Sequence, residues 1–370
     1  MTREGQTVLE RPARRRSSAR AVDTGSAPSA PAAPARRRAI AAGPVVAFVT
    51  LVVALIATEQ AGVRFRDPDH VAGKYVVLVG FGVALMVLLD IAIRAGRRGS
   101  TFRPSRAAMG AVRRERWTRH RMLAAGAALI SFYVTYLAYR NLKAVVPLLR
   151  PGDLFDRQLS GFDRAVFAGH EPATLLQTLL GTGFSTQVLS TFYVAFIVFL
   201  PLSLAVALVF ARDLPTSLFY ATAMSVNWLL GAGSYFLLPS LGPAYFDPSI
   251  FAALPHSEVT HLQTVLLDQR IGFLRNPDTG TPQAIAAFAS LHIAMSFTAV
   301  LGAHLLGLSR RVKIALWAWL VITLISTVYL GWHYVVDDVA GLVIGAGGLL
   351  AARALTGFDP REGVRAVRAA

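Results

Sequence analysis

The amino-acid sequence predicts an all-α, polytopic membrane protein with about eight transmembrane helices. Of its 370 residues, 54% are hydrophobic and only 16% are charged, and the mean hydropathy is +0.50. These values lie outside the range of ordinary soluble domains. The apolar residues are gathered into eight stretches, each about long enough to cross a hydrocarbon core of roughly 30 Å. Cysteine is absent, which excludes disulfides, thiolate nucleophiles and cysteine metal sites.

The predicted spans are separated by segments rich in arginine, proline or glycine. They lie near residues 39–60, 75–94, 122–141, 186–210, 216–238, 285–307, 313–331 and 335–354. The last span contains Gly345, Gly347 and Gly348, and small residues of this kind allow neighbouring helices to approach closely.

Residues 1–38 form a basic tail composed mainly of Arg, Ala, Pro and Ser. Its apolar content is too low for a packed core, so we expect it to be disordered. Residues 39–120 comprise the first two spans and an arginine-rich loop, and residues 357–370 form a second basic tail.

The arginines between the spans predict how the chain is oriented. The net charge of +16 would suggest nucleic acid on a soluble protein, but here the positive charge lies between apolar spans. The loop between the second and third spans, residues 94–121, is the most basic and is therefore predicted to be cytoplasmic. Arg212 and the pair Arg310–Arg311 alternate with it correctly. We therefore expect eight spans in the plasma membrane with both termini in the cytoplasm.

Two long connections fall on the extracytoplasmic side in this topology. Residues 142–185 mix Phe, Leu, Asp and Arg, which suggests short amphipathic helices lying on the membrane interface. Residues 239–284 are rich in turn-forming residues. Either connection could cover a site at this face.

His333 and Asp337 are the most informative pair of polar residues. They lie four residues apart on a predicted membrane helix, so both side chains share one face. Asp338 lies about 140° from His333 and is the poorer partner. A carboxylate beside an imidazole sets its tautomer and makes one nitrogen nucleophilic. Ionisable groups within a span are costly and are therefore read as functional.

Other ionisable residues are predicted to converge on this pair. Arg140 lies at the outer end of the third span, and His292 lies about two turns inside the outer end of the sixth. Residues that only anchor helices would be scattered over both ends of the bundle. His304 is the exception, since it falls near the cytoplasmic end of the sixth span and is interpreted as a helix-end residue.

Two histidines, an aspartate and a cation are compatible with two chemistries. Zinc accepts histidine and carboxylate ligands, but catalytic zinc usually has three protein ligands and an adjacent arginine would repel the ion. Phosphoryl transfer through a phosphohistidine needs an oriented imidazole, a second imidazole that protonates the leaving oxygen, and cations for the phosphate oxygens. The residues present match the second chemistry, so we expect neither metal nor cofactor.

Two motifs resemble the type 2 phosphatidic acid phosphatase superfamily. Ser-Leu-His at 290–292 is similar to its second motif, and His-Tyr-Val-Val-Asp at 333–337 is similar to its third. Within the superfamily, the sequence is closest to the branch of inositol phosphorylceramide and sphingomyelin synthases. The resemblance covers about residues 121–356 and implies a six-helix catalytic core.

The resemblance also implies a role for each matching residue. His333 would attack phosphorus, Asp337 would orient it, His292 would act as general acid, and the Ser290 hydroxyl would bind a phosphate oxygen. The first motif of the family, Lys followed after six residues by Arg-Pro, is matched at 143–151. Lys143, Arg150 and Arg140 are therefore the candidate phosphate-binding residues. Arg140 is preferred, because Pro147 is expected to interrupt the helix between the other two.

The sequence departs from the phosphatases at three positions in the motifs. Ala289 and Leu291 stand where they usually have Pro and Gly, and Thr327 stands where they usually have Arg. These departures favour transfer of a phospho-headgroup, such as inositol phosphate, to an alcohol acceptor. A simple phosphatase acting on undecaprenyl diphosphate or phosphatidylglycerol phosphate is the alternative.

A proton-coupled transporter that uses the histidines and the aspartate as a relay is the alternative from another class. The partners expected are a membrane lipid and an acceptor such as inositol, with no nucleic acid. The active site is expected to face the extracytoplasmic side.

Overall fold

Helices make up most of the chain in the computed structural model, which describes residues 33–67, 71–100, 103–282 and 285–359. The predicted tails, 1–38 and 357–370, lie largely outside these residues. No strand occurs in the described ranges, which confirms the all-α class. The α-helices are α1 Ala33–Gln60, α2 Val71–Gly99, α3 Arg106–Arg116, α4 Arg119–Leu149, α5 Asp156–Val166, α6 Pro172–Leu180, α7 Phe184–Phe210, α8 Leu214–Leu237, α9 Pro243–Phe246, α10 Glu258–Arg275, α11 Leu291–Leu305, α12 Arg310–Tyr329 and α13 Val335–Thr356.

Six of the described helices are long and apolar enough to cross a membrane. They are α1, α2, α4, α7, α12 and α13. The chain is thus a multi-pass membrane protein. The fifth and sixth predicted spans also form helices, α8 and α11, but neither meets the same criteria of length and hydropathy.

Helix α11 is shorter than the predicted span over 285–307. It has 15 residues, or about 22 Å at 1.5 Å per residue, which is less than a hydrocarbon core. The preceding segment is not helical, because its backbone bonds elsewhere. The N–H groups of Ala287 and Phe288 donate to the carbonyl and hydroxyl of Ser240, both at 3.0 Å. The Ala289 N–H donates to Ser234 Oγ at 2.9 Å. The expectation that helix precedes residue 291 was therefore wrong.

Helix α8 lies at the centre of the bundle. It packs against α1, α4, α7, α11 and α13, and most of its side chains are buried. Several of its polar side chains bond to neighbouring helices. Asn227 Nδ2 donates to Thr298 Oγ1 at 2.7 Å, and this hydroxyl donates to the Gly345 carbonyl at 3.1 Å. This polar content explains why α8 is a poor candidate span by hydropathy.

Helix α4 is longer than the predicted span over 122–141. It continues to Leu149 with Pro147 inside it, so the expected interruption at this proline was wrong. A proline removes only one backbone donor, and this one lies two residues before the helix ends. Lys143 is therefore a helical residue that projects from the same rigid element as Arg140.

The first helix is part of the central bundle. Helix α1 packs against α4, α8 and α13, and Ala54 and Ala57 belong to the largest buried apolar cluster. The connection between α1 and α2 is attached to α4, because Asn141 Nδ2 donates to the Arg66 carbonyl at 2.8 Å. The division between 39–120 and a separate six-helix core remains a prediction.

A buried carboxylate attaches α2 and α3 to the end of α7. Asp90 accepts hydrogen bonds from Arg94 (2.7 Å), Arg116 (2.8 Å) and Trp117 Nε1 (3.1 Å). Arg116 also donates to the carbonyl of Ala211 at 2.7 Å. The arginine-rich loop thus contains an ordered helix, α3, whose position relative to the bundle is set by an ion-pair network.

The two long connections form a helical layer over one end of the bundle. The first contains α5 and α6, in agreement with the short helices expected there. The second contains α9, a 3-10 helix at Pro248–Phe251 and the 18-residue α10. Helix α10 was not expected, because the prolines and glycines that flank it dominate the sequence pattern.

Glycines of α13 allow it to pack closely against α11. A Cβ on Gly345 would lie 2.5 Å from the Ala294 carbonyl oxygen, whereas one on Gly347 would come no nearer than 3.8 Å to Leu230. Gly345→Ala should therefore lower the free energy of unfolding by about 1–3 kcal/mol, through overpacking. Gly347→Ala is the matched control and should be neutral or slightly stabilising. Thermal unfolding of both variants in detergent measures the difference; equal melting temperatures would contradict the close packing.

Candidate active site

His292 is placed by the first turn of α11. Ser290 is the N-cap residue and Leu291 is the first helical residue, so His292 lies at the end of the helix and not two turns inside it as expected. Two aromatic residues of α7 hold the imidazole. Its centroid lies 4.5 Å from that of Tyr193, in a stacked arrangement, and 4.4 Å from that of Phe196. The residue is half-buried.

His333 lies in the turn between α12 and α13. The expectation that it shares a helix with Asp337 was wrong, because α13 begins at Val335 with Tyr334 as its N-cap residue. The turn is held by the end of α12: the N–H groups of Trp332 and His333 donate to the Thr327 carbonyl at 2.9 and 3.3 Å. The His333 side chain is 7% exposed.

The turn nevertheless brings His333 and Asp337 together. His333 Nδ1 lies 3.5 Å from Asp337 Oδ2, which is slightly longer than a good hydrogen bond. The same carboxylate oxygen accepts the Tyr334 N–H at 3.0 Å, so its position is set by the first turn of α13. Burial lowers the pKa of His333 to about 3, and the positive charge of Lys143 acts in the same direction. The imidazole is therefore neutral and retains a lone pair.

The two histidines, which are 41 residues apart along the chain, are neighbours. The centroids of their rings lie 5.7 Å apart at an interplanar angle of 62°. A direct backbone contact links their segments, because the Ser290 N–H donates to the Asp337 carbonyl at 3.0 Å. Ser290 is fully buried at this junction. One phosphate group could contact both imidazoles.

Lys143 is the α4 cation that faces the histidines. Its Nζ lies 5.7 Å from the centroid of the Tyr235 ring, and its charge acts on His333. Arg140 projects roughly 60° away around the helix. It shares a face with Tyr133, whose hydroxyl donates to Asp67 in the α1–α2 connection at 3.4 Å. The geometry thus favours Lys143 over Arg140, which was the preferred residue.

Arg150 bonds to residues other than the histidines. It is the C-cap residue of α4, its Nε donates to Asp153 at 2.7 Å, and its guanidinium also donates to the carbonyl of Phe236. These contacts join the ends of α4 and α8. Among the described residues, Arg150 acts as a link between helix ends and is not held against the histidines.

Arg270 on α10 is a further cation near the site, and the sequence analysis missed it. Gln263 Nε2 donates to the Leu330 carbonyl at 2.8 Å, and Phe273 is buried in the largest apolar cluster. Arg270 lies between them on the same face of α10. Burial lowers its pKa, whereas the charge of Asp156 raises it. The like charges of Arg270 and Lys143 also interact. The helical spacing of Gln263, Arg270 and Phe273 could have shown that they share one face of α10, but not which residues that face packs against.

Two buried carboxylates of α5 were also missed. Asp156 Oδ1 accepts the Gly242 N–H at 2.8 Å and the Tyr334 hydroxyl at 3.1 Å. Asp163 accepts the N–H groups of Val335 and Val336 at 2.7 and 3.1 Å. Burial raises the pKa of both carboxyls, and their backbone hydrogen bonds lower it. They contact the three residues that directly follow His333.

Thr327 has a structural contact in this chain. Its hydroxyl donates to Asp338 Oδ2 at 2.9 Å, and both residues are buried. The threonine thus joins α12 to α13 by a neutral hydroxyl. Position 327 has no long cationic side chain. A second positive charge near a bound phosphate must therefore come from another helix.

The fold and the gathered polar residues define a class of protein: a multi-pass helical membrane protein with two histidines and an aspartate at one end of its bundle. The sequence model of the PAP2 superfamily matches residues 157–351, more than half of the chain. The chain therefore belongs to the PAP2 superfamily, and this membership supports a phosphatase-type enzyme that acts on lipid phosphates. Comparison with curated proteins and with solved structures gives no match.

The matched segment includes some of the candidate residues and not others. Ser290, His292, His333 and Asp337 lie within it, as do Asp163 and Arg270, whereas Asp156 lies one residue before it. Helix α4 lies outside it, together with Arg140, Lys143 and Arg150. The resemblance drawn from the second and third motifs is thus confirmed at the level of the superfamily, while the synthase-like branch remains a prediction.

Proposed function

We propose that this protein transfers a phosphoryl group from a lipid phosphate or phosphodiester through a phosphohistidine on His333. The observation that carries the proposal is the pair of imidazoles with centroids 5.7 Å apart, one of them beside a buried carboxylate. This spacing lets one phosphate contact a nucleophile and a general acid at once. The site faces the extracytoplasmic leaflet if the arginine pattern sets the topology.

The first step forms the covalent intermediate. With its Nδ1–H directed to Asp337, His333 attacks phosphorus through Nε2. The bond from phosphorus to the leaving oxygen breaks, and the electron pair on this oxygen takes a proton from His292. In the second step, the oxygen of water or of an alcohol attacks phosphorus and gives its proton to His292. The phosphorus–nitrogen bond breaks and His333 is regenerated.

Lys143 and Arg270 are the cations that we assign to the phosphate oxygens. Lys143 acts on His333 from α4, and Arg270 lies on the covered face of α10. Phosphoryl transfer requires that the charge on the equatorial oxygens be neutralised. Arg270 would thereby supply from α10 the charge that Thr327 does not supply from α12.

Transfer to an alcohol, as in the synthase-like branch, is the favoured reaction, and it is supported by the altered motif residues. Simple hydrolysis is the second candidate, and a different observation favours it. A small cavity reaches His333 and is lined by Asp163, Glu171, Phe251 and Tyr334 among others. It is about large enough for one water molecule.

Histidine substitutions test the covalent mechanism. His333→Ala should abolish turnover and the trapping of acid-labile phosphate on the protein. His292→Ala should lower kcat on a lipid phosphate by about 10²- to 10⁴-fold, because the leaving alkoxide is no longer protonated. The loss should be smaller on an aryl phosphate, whose leaving group needs no proton. Phosphate release in detergent measures both. His304→Ala at the exposed end of α11 is the control, and a fully active His333→Ala enzyme would refute the mechanism.

Arg270→Gln tests the assignment of the cation on α10. Removing one charge that stabilises the transferring phosphoryl group should reduce kcat/KM by about 10- to 100-fold. Arg275→Gln, five residues further along the same helix and exposed, is the matched control. Steady-state kinetics on purified protein gives the comparison. Equal kcat/KM values for the two variants would remove Arg270 from the site.

An acceptor assay separates transfer from hydrolysis. The enzyme is given a lipid carrying labelled phosphate, with and without inositol or another alcohol. Transfer predicts that a labelled ester of the alcohol forms in proportion to the acceptor concentration, while inorganic phosphate decreases. Unchanged release of inorganic phosphate at every acceptor concentration would favour the hydrolase.

A further inference from the structure

Helix α5 has an unusual distribution of polar and apolar side chains. Its buried face carries Asp156, Ser160 and Asp163, whereas Phe162 and Val166 are 55% and 62% exposed. In a soluble protein the apolar residues of such a helix would face inward. Here both aspartates are turned toward the protein, while Phe162 and Val166 are exposed beside Arg157 and Arg164. The inward carboxylates must therefore have partners that compensate for their burial.

Asp163 finds its partners at the N-terminus of α13. Its two oxygens accept the N–H groups of Val335 at 2.7 Å and Val336 at 3.1 Å, which are the first two residues of that helix. Such N–H groups have no partner within their own helix. Asp337 accepts the N–H of the preceding residue, Tyr334. Three consecutive N–H groups directly after His333 are thus bound by carboxylates.

Asp156 holds the same turn from another direction. One oxygen accepts the Tyr334 hydroxyl at 3.1 Å, and both accept from Leu241 or Gly242 N–H groups at 2.8–3.0 Å. The loop that contains Gly242 in turn supports the residues before His333, since the Ala244 N–H donates to the Gly331 carbonyl at 2.9 Å. The carboxylates of α5 thus bind the residues after His333 directly, and Asp156 also binds the loop that supports the residues before it.

We propose that Asp163 is a positioning residue for phosphoryl transfer, which keeps the His333 turn and the first turn of α13 in register with Asp337 and His292. The proposal rests on the function proposed above and extends it to a residue that acts through the backbone next to His333. The Asp163 carboxylate also accepts the first two N–H groups of α13, so it occupies the N-terminus of this helix. An unfilled helix N-terminus attracts phosphate, so the carboxylate directs the substrate phosphate toward His292 and Lys143 instead.

Kinetics of Asp163 variants give the first test. Asp163→Asn keeps the shape of the side chain but offers one acceptor for two N–H donors. We expect kcat to fall by about 10- to 100-fold with KM within about threefold, because a shift of about 1 Å in a reacting group has an effect of this size. Asp163→Glu should recover part of kcat, since it restores both acceptors. The matched control is Asp268→Asn, an exposed aspartate of α10.

Normalisation to folded protein separates positioning from folding. Monodisperse protein is quantified for every variant before kcat is calculated. A kcat per folded molecule within twofold of the unsubstituted protein for Asp163→Asn would overturn the proposal, and so would an Asp163→Glu protein no more active than Asp163→Asn.

Hydrogen exchange gives a second test that needs no turnover. Amide exchange of a peptide covering residues 331–340 should become at least about tenfold faster in Asp163→Asn and stay unchanged in Asp268→Asn. Unchanged exchange in Asp163→Asn would overturn the proposal. The His333→Ala protein is assayed in parallel. Full activity of that protein would refute the proposed function, whereas an inactive His333→Ala protein with a fully active Asp163→Asn protein would refute the positioning role alone.

Discussion

The structure depends on satisfying the backbone of one irregular turn inside a membrane protein. Residues 331–334 connect α12 to α13 outside either helix, and an unsatisfied backbone group in such surroundings costs several kcal/mol. The backbone groups of the turn have several partners: the Ala244 N–H donates to the Gly331 carbonyl, the Thr327 carbonyl accepts from Trp332 and His333, and Asp337 accepts from Tyr334. Gln263 of α10 binds the Leu330 carbonyl, Asp163 of α5 binds the N–H groups of Val335 and Val336, and Asp156 of α5 binds the Tyr334 hydroxyl. A turn held from so many directions can present His333 in one geometry.

Close helix packing brings the second histidine to this turn. Helix α11 is short because its upstream segment bonds to the end of α8 instead of continuing the helix. His292 therefore emerges at the level of the turn, where the Ser290 N–H meets the Asp337 carbonyl. The contact requires α11 and α13 to approach closely, which the glycine at position 345 allows. Packing in the middle of the bundle thus sets the distance between two groups at its end.

The cations near the histidines do not all lie at the positions that the family resemblance implied. The Thr327 hydroxyl donates to Asp338, and Arg150 donates to Asp153. The side chains at these two positions, where the family resemblance implied a cation, therefore make structural contacts. Lys143 faces the histidines from α4, and Arg270 approaches from a connection that the motifs do not cover. A phosphate requires positive charge near its oxygens but does not specify which helix supplies it.

The sequence by itself determined the all-helical membrane class, the approximate positions of eight apolar helices, and the identity of His292, His333 and Asp337 as a candidate centre. Hydropathy and charge suffice for the first two, and the scarcity of ionisable residues in apolar segments suffices for the third. The tertiary structure decided where α11 begins, that α4 passes through Pro147, and that Lys143 faces the histidines. It also revealed Asp156, Asp163 and Arg270. These features depend on which face of a helix is covered by which neighbour, and a pattern along one chain shows the face but not the neighbour.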